Sequence, residues 1–248
     1  MKREQEKEVV FGIRAIIELI NSGKEIDKLL IQKGESNDLM KELIALAKNH
    51  HIPIASVPQE KLNRVTRKNH QGAIAYISAI EYASLDNIIS EAYQSGRVPL
   101  LLVLDRVTDV RNFGAIARSA ECAGVDGIVI PSRGSAAINS DAMKTSAGAL
   151  GYIPVCRESN LKATIKYLKE NGLMIVACTE KTSDSIFDAD LKEPCAILLG
   201  SEENGISPEY LKLADQRGKI PMTGQIGSLN VSVSAAIAVF EAVRQRSL

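Results

Sequence analysis

The stretch from Ile220 to Glu241, IPMTGQIGSLNVSVSAAIAVFE, decides the fold of this 248-residue chain. It begins as an apolar strand end, passes through a polar loop with two glycines, and becomes an Ala-rich helix to about Arg246. Glycine gives such a loop the backbone freedom to approach a ligand closely. The succession is either an ordinary strand-to-helix connection or a loop that grips a ligand through backbone groups.

The helix that follows is predicted to be capped and amphipathic. Ser228 and Asn230 stand just before it, where side-chain oxygens cap free backbone N–H groups. Apolar residues then recur at intervals of three or four, which predicts that one helix face packs in the core. The residues of this predicted core face are Val233, Ile237, Phe240 and Val243.

Composition indicates an ordinary globular protein. Hydrophobic residues make up 45% of the chain and charged residues 24%, which allows one large domain or two smaller ones. The N-terminal segment MKREQEKEVVFG lacks the apolar region of a signal peptide, and no apolar run approaches the roughly 18 residues of a membrane span. We therefore expect a cytoplasmic protein with no membrane segment.

The cysteines form no C-x-x-C pair, so the sequence predicts neither a zinc site nor a disulfide framework. We expect no bound metal. The cysteines are predicted to be small core residues; they are Cys122, Cys156, Cys178 and Cys195.

Charge is balanced over the whole chain, with Lys plus Arg and Asp plus Glu at 30 each, so no overall basic field attracts nucleic acid. Any RNA contact must come from a local patch. The segment KLNRVTRKNH, residues 61–70, holds four basic residues and no acidic one. It is either a solvated face or a nucleic-acid contact; its basic residues are Lys61, Arg64, Arg67 and Lys68.

Residues 1–77 are predicted to form a small α/β domain, with an irregular linker at 78–84. All three histidines of the chain lie in this domain, and His70-Gln71-Gly72 stands just before its last strand. Periodicity predicts helices at 9–22, 37–49 and 58–65, and strands at 26–31, 52–55 and 73–77.

Residues 85–248 are predicted to form a second domain in which strands and helices alternate, with Ser84 capping its first helix. Short Val/Ile/Leu-rich strands between helices predict a parallel sheet covered on both faces. No G-x-G-x-x-G motif occurs, so the dinucleotide-binding fingerprint is absent, and the lack of a G-x-x-x-x-G-K-[ST] motif excludes a P-loop. Strands are predicted at 100–104, 127–130, 152–155, 173–177 and 196–199, and helices at 85–94, 113–123, 140–147, 161–170 and 208–213.

The residue types of the second domain exclude several chemistries. It has no histidine, which removes a Ser-His-Asp hydrolase and the commonest general base. Its carboxylates are scattered and no His/Cys cluster occurs, so metal-dependent hydrolysis is poorly supported. Transfer of a group carried by a cofactor requires fewer reactive side chains, because the cofactor supplies the reactive group.

Two further motifs precede the opening stretch. They are Asp105–Pro131, DRVTDVRNFGAIARSAECAGVDGIVIP, and Leu198–Ser207, LLGSEENGIS. Together with Ile220–Glu241, and in this order, they resemble the three motifs of the SpoU (TrmH-like) family of RNA ribose 2'-O-methyltransferases. The region before them resembles the small substrate-binding domain of that family's 23S rRNA guanosine-2'-O-methyltransferase (RlmB-like) branch.

The resemblance implies a C-terminal α/β-knot (SPOUT) methyltransferase domain with a parallel sheet, preceded by an L30e-like α/β domain that binds RNA. In such a knot the C-terminal segment threads through a loop, and the knotted loops hold S-adenosylmethionine. Because knots are rare, periodicity by itself would not predict one. The resemblance also implies a homodimer with the site near the subunit interface.

The resemblance further implies the site residues. In the first motif, Asn112 is expected to cap a helix that begins at Phe113, and Arg118 to engage the target nucleotide's phosphate. From the residues alone, Arg118 would be a surface arginine or a salt-bridge partner. The implied catalytic residues are Asn112, Arg118, Glu202, Ser228 and Asn230. The implied cofactor-binding residues are Gly200, Gly205, Ile220, Met222 and Leu229, and the implied RNA-binding residues are Lys61, Arg64, Arg67, Lys68 and His70.

Three functions are therefore open. The first is methylation of a ribose 2'-hydroxyl in 23S rRNA, on a guanosine of the peptidyl-transferase region, as in the branch that the N-terminal domain resembles. The second is guanosine methylation in tRNA, and the third is a non-catalytic RNA-binding assembly factor. A nicotinamide-dependent oxidoreductase is disfavoured because the glycine fingerprint is absent.

Overall fold

The computed structural model describes residues 9–247, so Met1–Glu8 of the predicted first domain and Leu248 lie outside the described residues. The chain divides into two compact units, residues 1–81 with 137–140, and residues 82–136 with 141–248. No helix among the described residues is long and apolar enough to cross a membrane.

The described part of the first unit, from residue 9 onward, forms a four-stranded sheet with three helices. Its strands stand in the order β1-β4-β2-β3, with β4 antiparallel to β1 and β2, and β3 parallel to β2. Along the chain the elements are β1 Val9–Phe11, α1 Ile13–Asn21, β2 Ile26–Gln32, α2 Asp38–Asn49, β3 Ile54–Val57, α3 Gln59–Val65 and β4 Ala73–Ile77.

The start of this unit differs from the prediction. The segment Val9–Phe11 is a strand paired with β4, and the helix begins only at Ile13. Gly12 lies between them with φ of 94°, a conformation that glycine adopts freely and that ends the strand before the helix can start. Apolar residues before a glycine can therefore belong to a different element from those after it.

The turn His70-Gln71-Gly72 fastens this unit together. The Gly72 N–H donates to Nδ1 of His70 at 3.0 Å, so the opposite ring nitrogen carries the proton and donates to Asn63 Oδ1 at 2.9 Å. Gln71 Oε1 accepts from the Ile13 N–H at 3.3 Å, which satisfies a free donor at the start of α1. The turn thus joins the α3 end, β4 and α1.

The second unit contains a six-stranded sheet in the order β10-β8-β9-β5-β6-β7, with every neighbouring pair parallel. This confirms the predicted parallel α/β architecture. Its helices are α4 Leu85–Gln94, α5 Val110–Cys122, α6 Ser140–Thr145, α7 Leu161–Glu170, α8 Pro208–Leu211 and α9 Val231–Arg246, and its strands are β5 Leu100–Leu104, β6 Gly127–Pro131, β7 Val155–Glu158, β8 Met174–Cys178, β9 Cys195–Leu199 and β10 Gln216–Gly218.

Several predicted boundaries are wrong. Strands β3 and β7 begin after Pro53 and Pro154 rather than before them, because proline has no N–H to contribute to a strand ladder. Strand β10 ends at Gly218, so Ile220 and Met222 lie in an irregular segment rather than in a strand end. Ser84 precedes α4 but makes no side-chain capping bond.

The predicted core face of α9 is wrong as well. Val233 and Phe240 are 45% and 46% exposed, while the buried face of this helix consists mainly of small residues. These are Ala235, Ala238 and Ala242, with Val231 and Val239. Because α9 packs on both α5 and β9, small side chains let the backbones approach closely, whereas Val233 and Phe240 point away from the core and Ile237 and Val243 are half-buried.

The cysteine prediction holds only in part. Cys156 and Cys195 are buried, but Cys122 at the end of α5 is exposed, and all four cysteines are free thiols. Among residues 9–247, no group of three or more His, Cys, Asp and Glu residues is arranged to hold a metal ion.

Candidate functional site

Three side chains from the three motifs meet in a hydrogen-bonded group. Asn112 Nδ2 donates to Glu202 Oε1 at 2.7 Å, and Asn230 Nδ2 donates to the same oxygen at 2.8 Å. Asn230 Nδ2 also donates to Asn112 Oδ1 at 3.0 Å. We call Asn112, Glu202 and Asn230 the amide–carboxylate triad. A carboxylate oxygen that accepts from two amides is held in one orientation.

Asn112 is available for the triad because it does not cap α5. The helix begins at Val110, and Asp109 is its N-cap, with Oδ1 accepting from the Arg111 and Asn112 N–H groups at 2.9 and 2.8 Å. The prediction that Asn112 caps a helix starting at Phe113 is therefore wrong. Because Asp109 satisfies the free helix donors, the Asn112 side chain points its amide at Glu202 instead.

Asn230 has two roles, as the sequence indicated in part. Its Oδ1 caps α9 by accepting from the Ser232 N–H at 2.9 Å, and it also accepts from Ser232 Oγ at 2.5 Å. Its Nδ2 serves the triad. Since the capping oxygen fixes the rotation of the amide group, the helix start aims the Nδ2 donor at Glu202. Ser228 makes no capping contact with α9.

A cleft beside the triad collects the predicted cofactor residues of the third motif. Apolar Ile220, Met222 and Leu229 line it together with Ser228, all from the irregular segment before α9. The sequence analysis assigned no site role to the remaining walls, which come from the carboxyl end of β8, from α9 and from the segment between β10 and α9. They are Cys178, Thr179, Glu180, Lys219, Gly227 and Ser234. In α/β proteins, ligands bind at the carboxyl ends of parallel strands. The position of Thr179 and Glu180 just after a predicted strand could therefore have identified them from the sequence.

The thiol that lines this cleft is not a nucleophile at neutral pH. Burial, with a further contribution from the Glu180 carboxylate, raises the pKa of Cys178 to about 11. The reactive form of cysteine is the thiolate, so Cys178 stays protonated and acts as a small apolar wall.

Gly200 and Gly205 shape the second motif by contacting each other. A Cβ on Gly200 would lie 2.0 Å from the Gly205 carbonyl carbon, so no side chain fits there. Gly205 has φ of 64°, a left-handed conformation that suits glycine. Neither glycine lines the cleft around Ile220, so replacing Gly200 would disturb the loop that carries Glu202 before it affected a ligand.

A second cleft contains the triad members Asn112 and Glu202. It lies between the first two motifs and reaches the start of α9 at Val231. Its other walls are Arg106, Val107, Thr108, Asp109, Ser201, Glu203 and Asn204. Two clefts therefore lie at the triad. The first, around Ile220, has apolar and polar walls, and the second, which includes Asn112 and Glu202, has mostly polar walls.

Arg118 stands apart from the triad on the same helix. It is exposed, and its guanidinium has no hydrogen bond or ion pair with the part of the chain that the structure describes. Six residues after Asn112 on an α-helix, it lies about 9 Å further along the axis and about 120° around it. A single chain therefore leaves this arginine free for a ligand or partner.

The first unit presents the predicted basic residues to solvent. Lys61, Arg64, Arg67 and Lys68 are all exposed, and none forms an ion pair with residues 9–247. Lys68 Nζ lies 5.7 Å from the ring centroid of half-buried Phe11. His70 is different, because it is 7% exposed and both ring nitrogens are occupied. In the described chain the His70 side chain holds the turn beside the basic residues, and its role in RNA binding stays a prediction.

Comparison with models of known protein families identifies the family of this chain. The model of the SpoU rRNA Methylase family matches residues 99–240, which carry all three motifs and the triad. A second model, RNA 2'-O ribose methyltransferase substrate binding, matches residues 9–83. The chain belongs to the SpoU rRNA methylase family.

Relatives of this SpoU methylase are similar over nearly their whole length. A protein of Staphylococcus saprophyticus, assigned to the TrmH family of tRNA/rRNA methyltransferases, is 37% identical over 98% of this chain and 97% of its own. YacO of Bacillus subtilis, assigned to the same family, is 34% identical over 98% of each. The resemblance to the SpoU (TrmH-like) family, and with it RNA methylation as the activity, is confirmed.

Solved structures show the same fold. AviRb from Streptomyces viridochromogenes, a SpoU methyltransferase solved with AdoMet, superposes with a TM-score of 0.62 at 24% identity, covering 99% of this chain and 94% of its own. An RNA 2'-O ribose methyltransferase superposes with a TM-score of 0.57 at 26% identity, covering 99% and 92%. Both similarities extend over the two units of this SpoU methylase.

Proposed function

We propose that this SpoU methylase transfers the methyl group of S-adenosylmethionine to a ribose 2'-hydroxyl, on a guanosine in the peptidyl-transferase region of 23S rRNA. The observation that carries the proposal is the amide–carboxylate triad, which joins one side chain from each of the three motifs. A catalytic pocket needs groups that are oriented before the substrate arrives, and the hydrogen bonds within the triad orient its three side chains in this way. We propose a cytoplasmic location because ribosomal RNA is found there in bacteria.

The cleft lined by Ile220, Met222 and Leu229 fits the chemistry of S-adenosylmethionine. Apolar side chains suit the flat faces of an adenine, and Thr179, Glu180, Ser228 and Ser234 offer hydrogen-bonding groups for a ribose and an amino acid end. When bound, the cofactor supplies an electrophilic methyl group. We also assign Gly200 and Gly205 to the cofactor site, because a Cβ on Gly205 would lie 3.6 Å from Glu180 Oε1 in the wall of this cleft, and Gly200 packs directly on Gly205.

The catalytic residues divide the remaining work. Glu202 uses Oε1 for the two amides and keeps Oε2 without a partner among the described residues, where it can accept a hydrogen bond from the target hydroxyl. Arg118 anchors the phosphate beside that hydroxyl and stabilises developing negative charge, since an arginine stays protonated. Ser228, at the cofactor cleft, orients the reacting groups.

RNA binding is assigned to residues 1–77, a domain joined to the methyltransferase domain, residues 85–248, through a linker at 78–84. Four exposed cations without ion pairs among the described residues support this assignment; they are Lys61, Arg64, Arg67 and Lys68. A cation that is not neutralised by the protein can replace a counterion on the RNA phosphates.

We further propose an α/β knot and a homodimer. The knot is supported by Arg246 in the last turn of α9, which donates to the Leu191, Glu193, Val98 and Pro99 carbonyls and so ties the C-terminal helix to two other segments. The dimer is supported by the outer face of α9, where exposed Val233 and Phe240 stand without cover in one chain. A partner on that face would lie close to the triad, because Asn230 begins the same helix.

One experiment tests the function. The protein is incubated with radiolabelled S-adenosylmethionine and either 23S rRNA or bulk tRNA from a strain that lacks the gene, and ribose methylation is mapped by primer extension. We expect label in 23S rRNA at one guanosine. Label in tRNA alone supports the tRNA alternative. Binding of rRNA without cofactor binding or methyl transfer would establish the assembly factor instead.

A further inference from the structure

Arg106, in the wall of the second cleft, has an unusual backbone conformation. Its φ is 59°, in the left-handed region that non-glycine residues seldom occupy. Residues held in such strained conformations are found most often at functional sites. Its side chain holds this conformation by contacting Asp105, whose carboxylate is nearly fully buried. The Ser207 N–H fixes Asp105 in turn at 2.6 Å. The guanidinium is thus fixed in position before any substrate binds.

The contacts of Arg106 leave one edge of its guanidinium open. Nε donates to Asp105 Oδ1 at 3.0 Å, and Nη2 donates to Asp105 Oδ2 at 3.3 Å and to the Gly205 carbonyl at 3.2 Å. Both N–H groups of Nη1 remain without a partner among the described residues. Because Arg106 is only partly buried and lines the cleft of Asn112 and Glu202, these two donors serve a ligand in that cleft.

The charges around Arg106 indicate which kind of ligand. The cleft wall carries three carboxylates, Asp109, Glu202 and Glu203, against this single cation, whose charge Asp105 already balances. Such a wall repels a phosphate but suits a group with several N–H donors. Glu203 is exposed and has no partner in the described chain, so its carboxylate is free to accept two hydrogen bonds.

We propose that this cleft reads the base of the target nucleotide as guanine, with Arg106 and Glu203 as its specificity residues. Arg106 Nη1 donates to the O6 carbonyl, and the Glu203 carboxylate accepts from N1–H and from the 2-amino group. Adenine presents a donor where guanine has O6, and uracil presents an acceptor where guanine has its amino group. A mismatch leaves desolvated polar groups unpaired, which is the strongest source of discrimination between similar substrates.

This proposal rests on the proposed function and names the part of the substrate that the second cleft holds. It is tested on an RNA fragment that contains the mapped nucleotide, prepared with guanine, hypoxanthine or adenine at that position. Hypoxanthine lacks only the 2-amino group. The wild type should give single-turnover rates that fall at least about tenfold from guanine to hypoxanthine and further to adenine.

Two variants test which residue is responsible for each part of the base preference. Glu203→Gln should bring the guanine and hypoxanthine rates to within about threefold of each other, because a neutral amide accepts poorly from two donors. Arg106→Gln should narrow the ratio of the guanine and adenine rates at least about tenfold, since an amide can donate to O6 or accept from N6. Glu203 is exposed, so its variant remains informative if Arg106→Gln folds poorly.

The outcomes are separable from those of the proposed function. If Glu203→Gln and a folded Arg106→Gln both keep the wild-type base ratios, or if the methylated nucleotide is not a guanosine, the base-reading proposal is overturned while ribose methylation stands. If the wild type transfers no methyl group, the proposed function fails. In that case base preference is measured separately, as the binding of GMP, IMP and AMP to the protein followed by NMR. Equal affinity for the three nucleotides would overturn the base-reading proposal.

Discussion

Asn230 Nδ2 donates to Glu202 Oε1 across 2.8 Å, although 28 residues separate them along the chain. The amide rotation that makes this bond is set by the opposite end of the same side chain, where Oδ1 caps α9. The carboxylate is therefore oriented by a helix start. Helix capping and the proposed catalytic geometry share one residue, and a substitution can separate the two roles.

Asn230→Asp should strongly slow methylation while leaving the fold intact. Aspartate is as good an N-cap as asparagine, so α9 stays capped, but an acceptor replaces the donor and faces Glu202. We expect single-turnover methylation to fall by about 100-fold or more, as for loss of one preorganised group. The melting temperature, measured by calorimetry, should change little.

The matched control for this change is Asn160→Asp. Asn160 caps α7 by accepting from the Ala163 N–H, and it is exposed and not part of either cleft. This variant should methylate like the wild type. If Asn230→Asp also retains full single-turnover activity, the triad does not participate in the reaction.

Arg118→Ala should slow the chemical step without preventing cofactor binding. Because Arg118 is exposed and has no partner in the described chain, its removal costs little stability. We expect methylation to slow by about 100-fold, in line with loss of one charge-stabilising group, with unchanged affinity for S-adenosylmethionine by calorimetry. Arg118→Lys, which keeps the charge, should recover part of the rate. Wild-type single-turnover rates in Arg118→Ala would show that the active site lies elsewhere.

Removing the basic residues of the first unit should weaken RNA binding alone. The quadruple Ala variant of Lys61, Arg64, Arg67 and Lys68 should reduce the slope of log affinity against log salt by roughly one unit per lost phosphate contact. A filter-binding series over salt concentration measures it. The control is a quadruple Ala variant of Lys24, Lys28, Lys41 and Lys48, which are also exposed and remove the same charge from the same unit. Equal slopes in the two variants would mean that the basic segment is only a solvated face.

Phe240→Asp should convert the proposed dimer to monomer. The ring is 46% exposed on the outer face of α9, so in a single chain a charge there costs little, whereas at a subunit interface it is unpaired and desolvated. Light scattering should find twice the 26.8 kDa chain mass for the wild type and one chain mass for the variant. Val98→Asp, which changes a residue that is 44% exposed elsewhere, should stay dimeric. A wild-type monomer that methylates RNA would contradict the dimer proposal.

Arg246→Ala should destabilise the second unit. The guanidinium makes four hydrogen bonds to backbone carbonyls, at 2.6 to 3.1 Å, and joins α9 to the segments before β5 and β9. Losing them should lower the free energy of unfolding by about 2–4 kcal/mol, measured by urea denaturation. Lys166→Ala, an exposed position on α7, should stay within about 0.5 kcal/mol of the wild type. Equal stability of the two variants would remove Arg246 as an anchor of the C-terminal helix.

The sequence by itself determined the architecture and the family. Strand β4 and helix α7 lie where periodicity predicted them, and the parallel sheet follows from short apolar strands between helices. These features depend on local patterns of side chains that repeat with the period of their element, so a linear reading finds them. The site residues Asn112, Glu202 and Asn230 were implied by the resemblance of the three motifs to the family, and periodicity did not indicate them.

The tertiary structure decided which atoms those residues use. That Asp109 rather than Asn112 caps α5 depends on where the helix begins, and boundaries are the least local part of an element. The outward position of Val233 and Phe240 depends on how closely α9 packs on α5 and β9, which small residues permit and periodicity does not encode. His70 is buried because a turn folds back on α3 and α1. Each of these outcomes is fixed by contacts between segments distant in the chain, where packing and hydrogen-bond satisfaction outweigh local propensity.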